Sequence, residues 1–198
     1  AIDLGDPGAP DGYVWTGSWN QRRMYKLDPT DGRVIAEVPV NIAPYGAVAL
    51  STGEVWVSTL DDPALQSIDA ATGEAGPVIR APRELTGDCR SSYGIGVDLD
   101  GRIWLGGWDC PYALGYDPLA DTWCRADLDF GLDNNRVGRG ISADGSGRVW
   151  AALGGDGQSY LAYWNAEGCE GGGRFNVPGG NIVETPLRSL GPSARWRA

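Results

Sequence analysis

The sequence predicts an all-β fold, a β-propeller of about four blades, each a four-stranded antiparallel sheet. Three observations predict it. A tryptophan recurs in the same strand-like context at Trp15, Trp56, Trp104 and Trp150. An acidic or amide residue closes a later strand at Asp28, Asp69, Asp117 and Asn165. The two markers keep a common step of about 40–48 residues, the spacing of one propeller blade. Helical periodicity is weak throughout.

Each unit follows one grammar. A short apolar run opens it, as in Tyr45–Leu50, Ser92–Leu99 and the run from Arg139 to Ser142. A glycine turn such as Asp100-Gly101 follows, a strong hairpin signal. Next comes a strand rich in β-branched residues that carries the tryptophan, as in Val55-Trp56-Val57. A third strand ends at the Asp or Asn marker and enters a turn such as Asp28 to Gly32. The outer strand is last, as in Arg33–Val40 and Thr122–Leu128. The four tryptophans are expected to be buried between sheets, because large flat side chains fill such gaps. The marker aspartates are expected to cap backbone N–H groups in the turns that follow them.

The reading is of a single domain over residues 1–198, with blade units at about 12–40, 44–80, 92–128 and 139–178. No apolar first strand is legible before Gly12. Residues 186–198 read as the start of an uncompleted blade, since Gly191-Pro192-Ser193-Ala194 matches Ala43-Pro44-Tyr45-Gly46. An incomplete segment of a six- or seven-bladed ring is therefore preferred to a closed four-bladed one. Residue 1 is Ala, and no charged segment followed by an apolar one opens the chain. The expectation is that a leader has been removed or that the chain is part of something longer.

Composition narrows the function classes. The chain has 198 residues, 42% hydrophobic and 21% charged, with a net charge of −10. That charge disfavours phosphate backbones and acidic membranes, so neither nucleic-acid nor lipid-surface binding is expected, and with no run of 18 or more apolar residues no membrane insertion is expected. Histidine is absent. Ser-His-Asp hydrolysis, Cys-His chemistry, His-ligated zinc and an imidazole base are therefore excluded within this chain.

Candidate site residues cluster after the tryptophan strands. Trp19 and Trp108 each stand four residues beyond the repeated tryptophan. Strand alternation puts them on its face, at the loop end where propellers bind ligands, and an aromatic there stacks on sugars, aromatic groups or cations. Asp61, Asp62 and Asp109 follow the same strands. Converging carboxylates of this kind suit Ca2+ or another divalent cation, although no motif demands a cofactor. Arg136 and Arg139 lead into an inner strand and suit an anionic ligand. The partner class left open is a small molecule, a glycan or a protein.

Cys89 and Cys110 are expected to form a disulfide, because the connections holding them leave neighbouring strands on one face. Cys124 and Cys169 read as starting the outer strands of adjacent blades, which splay apart. That pair is expected to be too distant to bond unless the loop at Cys169 reaches inward. Disulfides imply an oxidising compartment, here the extracellular space or a bacterial periplasm or surface.

The pieces Pro44-Tyr45-Gly46, Asp98-Leu99-Asp100-Gly101-Arg102-Ile103-Trp104 and Tyr25-Lys26-Leu27-Asp28-Pro29 resemble those of streptogramin-lyase-like propellers, relatives of the NHL-repeat proteins. The resemblance covers roughly residues 12–170 and implies the fold. Family lyases open a cyclic depsipeptide by elimination, using a catalytic His and a divalent cation held by Glu. This chain supplies no His for that role. The reading is therefore a non-catalytic binding or scaffold module whose ligand lies on the loop face. The alternative is a fragment of a lyase-like enzyme whose catalytic His lies outside these residues.

Overall fold

The structure is a computed structural model and describes residues 1–3, 12–108, 110–128, 140–155 and 158–178. Residues 186–198, the expected uncompleted blade, lie outside the described residues. The described chain forms four antiparallel sheets of four strands each. The first holds β1 (Ile2–Asp3), β2 (Tyr13–Ser18), β3 (Arg23–Leu27) and β4 (Val34–Pro39), in that order. The second holds β5 (Gly46–Ala49), β6 (Glu54–Ser58), β7 (Ala64–Asp69) and β8 (Ala75–Arg80). One helical turn, α1 (Arg83–Thr86), follows. The third sheet holds β9 (Ile95–Val97), β10 (Ile103–Gly106), β11 (Tyr112–Asp117) and β12 (Thr122–Asp127). The fourth holds β13 (Ile141–Ala143), β14 (Arg148–Gly155), β15 (Gln158–Asn165) and β16 (Gly172–Val177).

The chain divides into two compact units, Ala1–Tyr93 and Gly94–Ala198, with two sheets in each. The first sheet starts earlier than the sequence suggests. Ile2 and Asp3 pair with Val14 and Tyr13, so a two-residue inner strand precedes Gly12. Two residues are too short for period-two alternation to register.

Packing within each unit follows the tryptophans. Trp15 is buried in one cluster with Val55, Val57 and Ile68 of the second sheet. Lys26, opposite it on β3, is buried too: its ammonium donates to the Ala70 carbonyl at 2.7 Å and lies 4.1 Å from the Tyr13 ring centroid. In the other unit Trp104 packs with Val149, Ala151, Ala162 and Trp164 of the fourth sheet. Gly115 makes this fit possible, since a Cβ there would stand 2.9 Å from both the Trp104 ring and the Cys124 sulfur. Gly96 does the same for the inner strands, with the Ile141 carbonyl oxygen 2.9 Å from where its Cβ would be.

Trp150 departs from the expected burial. Trp15, Trp56 and Trp104 are at most 3% exposed, whereas Trp150 is only half-buried. Its ring stacks on Tyr163 and Phe175 of its own sheet.

The turns carry the aspartates as expected. Asp28 accepts from Thr30 N at 2.9 Å, Asp69 from Ala71 N and Thr72 N at 2.9 and 2.8 Å, and Asp117 from Leu119 N and Ala120 N at 2.9 and 3.1 Å. The fourth residue on from each marker takes a left-handed conformation: Gly32, Gly73, Asp121 and Cys169, with φ of 73°, 74°, 52° and 54°.

That register corrects the cysteine reading. Cys124 and Cys169 are disulfide-bonded, with Cα atoms 6.1 Å apart. Cys169 is not on the outer strand, which begins at Gly172. It occupies the left-handed turn position, where a side chain points at the outer strand of the preceding sheet. The equivalent Gly73 shows the direction: a Cβ there would meet Val38 of β4 at 3.4 Å. Cys89 and Cys110 are disulfide-bonded as well, and no cysteine is free.

A second pair of aspartates, at Asp98 and Asp144, ties the first hairpin of the later sheets to its tryptophan. One oxygen of Asp98 accepts from Asp100 N and Arg102 N, while the other accepts from the Trp104 indole at 2.9 Å. Asp144 likewise accepts from Ser146 and Arg148 and from the Trp150 indole at 2.7 Å. Asp98-Leu99-Asp100-Gly101 is thus a hairpin lock.

Asp98→Ala should lower stability by about 2–3 kcal/mol, because the buried Trp104 N–H loses its acceptor. Asp100→Ala, at the exposed tip of the same turn, should cost under about 0.5 kcal/mol. Chemical denaturation of both variants checks this. Burial opposes ionisation of Asp144, but hydrogen bonds from Ser146, Trp150 and Arg148 outweigh it and hold its pKa below the ordinary 3.8. A depressed folded pKa contributes stability that is present above the unfolded value and lost as pH falls through the folded one. Stability should therefore be flat above about pH 5 and decline below pH 4, less steeply in Asp144→Asn.

Candidate functional site

The loop edge of the first unit gathers three aromatic side chains from three connections. Trp19 lies in the turn between β2 and β3, Tyr45 directly before β5, and Tyr93 at the end of the unit. In an up-and-down sheet, the turn after the second strand and the connection entering the next sheet fall on the same edge. The rings of Trp19 and Tyr45 meet edge to face, 5.9 Å between centroids at 87°. Tyr45 and Tyr93 lie 4.8 Å apart at 59°. Tyr45, in the middle, is 41% exposed.

The backbone fixes each of the three. Tyr45 N donates to the Ser58 carbonyl at 2.8 Å. Arg22, with φ 50°, closes the turn that presents Trp19, and its carbonyl accepts from Val40 N at 2.9 Å. Tyr93 follows Ser92, which is 2% exposed. Ser92 N donates to the Leu60 carbonyl at 3.0 Å and its hydroxyl to the Thr59 carbonyl. Beside Tyr45 opens a cavity of 220 Å³, lined by Trp15, Gly17, Met24 and Pro44 among others. Gly17 leaves room for Pro44, whose Cβ would be 2.9 Å from an added Cβ.

Asp62 has a different role from the expected cation ligand. Its two oxygens each accept from an arginine, Arg80 Nη1 and Arg90 Nη2, both at 2.6 Å. This fork joins the β6–β7 loop to the segment carrying Tyr93. Asp61 beside it is exposed. A cation at Asp62 would have to displace both guanidinium groups. Among the described residues, no three potential ligands come together for a metal. Asp109, Arg136 and Arg139 lie outside the described residues. Trp108 is half-buried at the end of the third sheet's tryptophan strand, in the other unit.

Of these three aromatics the sequence reading names Trp19 and omits Tyr45 and Tyr93. Both stand before an inner strand, at Pro-Tyr-Gly and Ser-Tyr-Gly. That shared signal could have placed them together.

No protein-family model matches the sequence, and no curated protein matches it. Solved structures do. A streptogramin B lyase superposes with a TM-score of 0.67 at 17% identity, over 90% of this chain and 56% of that one. Virginiamycin B lyase from Staphylococcus aureus gives 0.65 at 15% identity, over 90% and 59%. The extracellular domain of a one-component system from B. thetaiotaomicron gives 0.64 at 14%, over 90% and 24%.

The fold is a β-propeller fold. At these identities the likeness extends to the fold alone, since propellers host many activities. This propeller chain spans a little over half the length of the lyases it matches.

Asp62→Ala should destabilise the chain by about 1 kcal/mol, the loss of two partly exposed ion pairs. The deficit should shrink in molar salt, where such pairs are screened. Urea denaturation of both proteins at low and high salt measures it.

Proposed function

We propose that this β-propeller chain is a non-catalytic binding module that takes its ligand at the loop edge, on Trp19, Tyr45 and Tyr93. The observation that carries the reading is Tyr45, an exposed aromatic held from behind by the backbone and flanked by two more rings. Aromatic faces of this kind bind through stacking and cation–π contacts at low conformational cost. Sugars, aromatic groups and peptides with planar side chains fit this chemistry.

Two facts favour binding over elimination. The chain has no histidine. A His-to-Ala variant of virginiamycin B lyase, solved with quinupristin, is described as catalytically inactive. An extracellular setting is supported by four oxidised cysteines and by the likeness to an extracellular domain.

A thermal-shift screen of oligosaccharides and cyclic peptides tests the reading. A ligand at about 100 times its Kd adds about 2.7 kcal/mol, which raises the Tm of a chain this size by about 5–10 °C. The shift should vanish in Tyr45→Ala and Trp19→Ala. The reading fails if no such probe shifts the melt, or if the variants respond like the parent. Quinupristin should not be opened above background; turnover by the purified chain would restore the enzyme alternative.

A further inference from the structure

The repeat defines how one sheet covers the next. The face bearing the tryptophan is met by an apolar row running across the four strands of the following sheet. For Trp15 that row contains Val55 and Ile68, both 0% exposed, which pair directly across β6 and β7. For Trp104 it contains Val149 and Trp164, at 0% and 2%, paired across β14 and β15. A cation on the covered sheet then reaches a turn of the covering one. Lys26 donates to the carbonyl of Ala70, the residue after Asp69. Arg102 donates to the carbonyl of Ala166, the residue after Asn165.

The fourth sheet has the donor half of this contact. Trp150, Tyr163 and Phe175 stack side by side on its open face, with centroids 5.1, 5.7 and 6.2 Å apart. Phe175 is 54% exposed. Arg148, two residues before Trp150 as Arg102 is before Trp104, is exposed and rests 5.3 Å from the Tyr163 centroid.

The first sheet has the acceptor half. Register places Ile2, Val14, Leu27 and Val34 in one row, on the face turned away from Trp15. It is the counterpart of the Val55–Ile68 row, but Ile2 is 60% and Val34 47% exposed. Pro29 follows Asp28 as Ala70 follows Asp69 and Ala166 follows Asn165, so its carbonyl is the counterpart that a cation would reach.

One chain thus carries both halves of the inter-sheet contact, each with exposed apolar side chains among the described residues. We propose that the Trp150–Tyr163–Phe175 face docks the first sheet of a second copy, head to tail. Its occupant is the Ile2–Val14–Leu27–Val34 row, and Arg148 caps the partner's turn carbonyl. A head-to-tail contact closes into a discrete assembly when the rotation allows and otherwise grows open. Two copies supply eight sheets, the upper end of the usual propeller range.

Sedimentation velocity on the full chain at about 100 μM tests this, a concentration that fills any contact of micromolar Kd. The parent should sediment as a dimer or larger. Phe175→Glu and Val34→Glu, both at exposed strand positions, should each sediment as monomers with unchanged β-sheet circular dichroism. Mixed together, they should recover a dimer, because each retains the half that the other has lost. A monomeric parent overturns the proposal, leaving the face for a sheet of another chain. Association that survives both substitutions overturns it too, as does a mixture of the two folded variants that stays monomeric.

Discussion

Covering the tryptophan face of one sheet with the aliphatic face of the next is the interaction on which the rest of this structure depends. A four-stranded meander of about 40 residues has two faces and too little core to stand alone. Each sheet buries one face only when its neighbour is present. In the first unit Trp15 lies against Val55, Val57 and Ile68; in the second, Trp104 lies against Val149, Ala151 and Trp164. A single buried tryptophan removes about 150–250 Å² from water, worth roughly 4–6 kcal/mol at the usual area coefficient. That exceeds the contribution of any hydrogen bond in the turns.

Secondary features serve this packing. Gly115 is empty so that Trp104 and the Cys124 sulfur can share its space, and Gly96 is empty so that two inner strands can converge. Asp98 and Asp144 use one oxygen to close a hairpin and the other to hold an indole, which couples turn geometry to tryptophan orientation. The Cys124–Cys169 bond ties the outer margin of the third sheet to a turn of the fourth. The aromatic row on the loop edge is a product of the same order. Tyr45 and Tyr93 are carried by the segments that lead toward the next inner strand, and such segments return to one edge in every unit.

The departures from the sequence reading have separate causes. Sequence gives the position of a residue within its unit, whereas burial depends on what lies opposite. Trp150 has the same local context as Trp104, including an aspartate six residues before it, yet it remains half-exposed. Cys169 resembles a strand residue in the sequence because its turn position carries no glycine. Counting four residues from Asn165, as from Asp28 to Gly32 and Asp69 to Gly73, places it in the left-handed turn. The inner strand at Ile2–Asp3 leaves no sequence signal, because two residues carry no alternation.

The sequence by itself determined the repeat, the strand grammar, the marker turns and the exclusion of imidazole chemistry. These are properties of spacing and composition, which no tertiary contact can change. The four-residue offset of Trp19 from Trp15, which recurs at Trp104 and Trp108, was also legible. Only the tertiary structure decided that Asp62 belongs to two arginines, that Tyr45 and Tyr93 join Trp19, and that Cys169 reaches Cys124. Each of those facts joins residues from different connections, and their distances depend on how sheets stack. Strand periodicity records which way a side chain points and carries no information about what it meets.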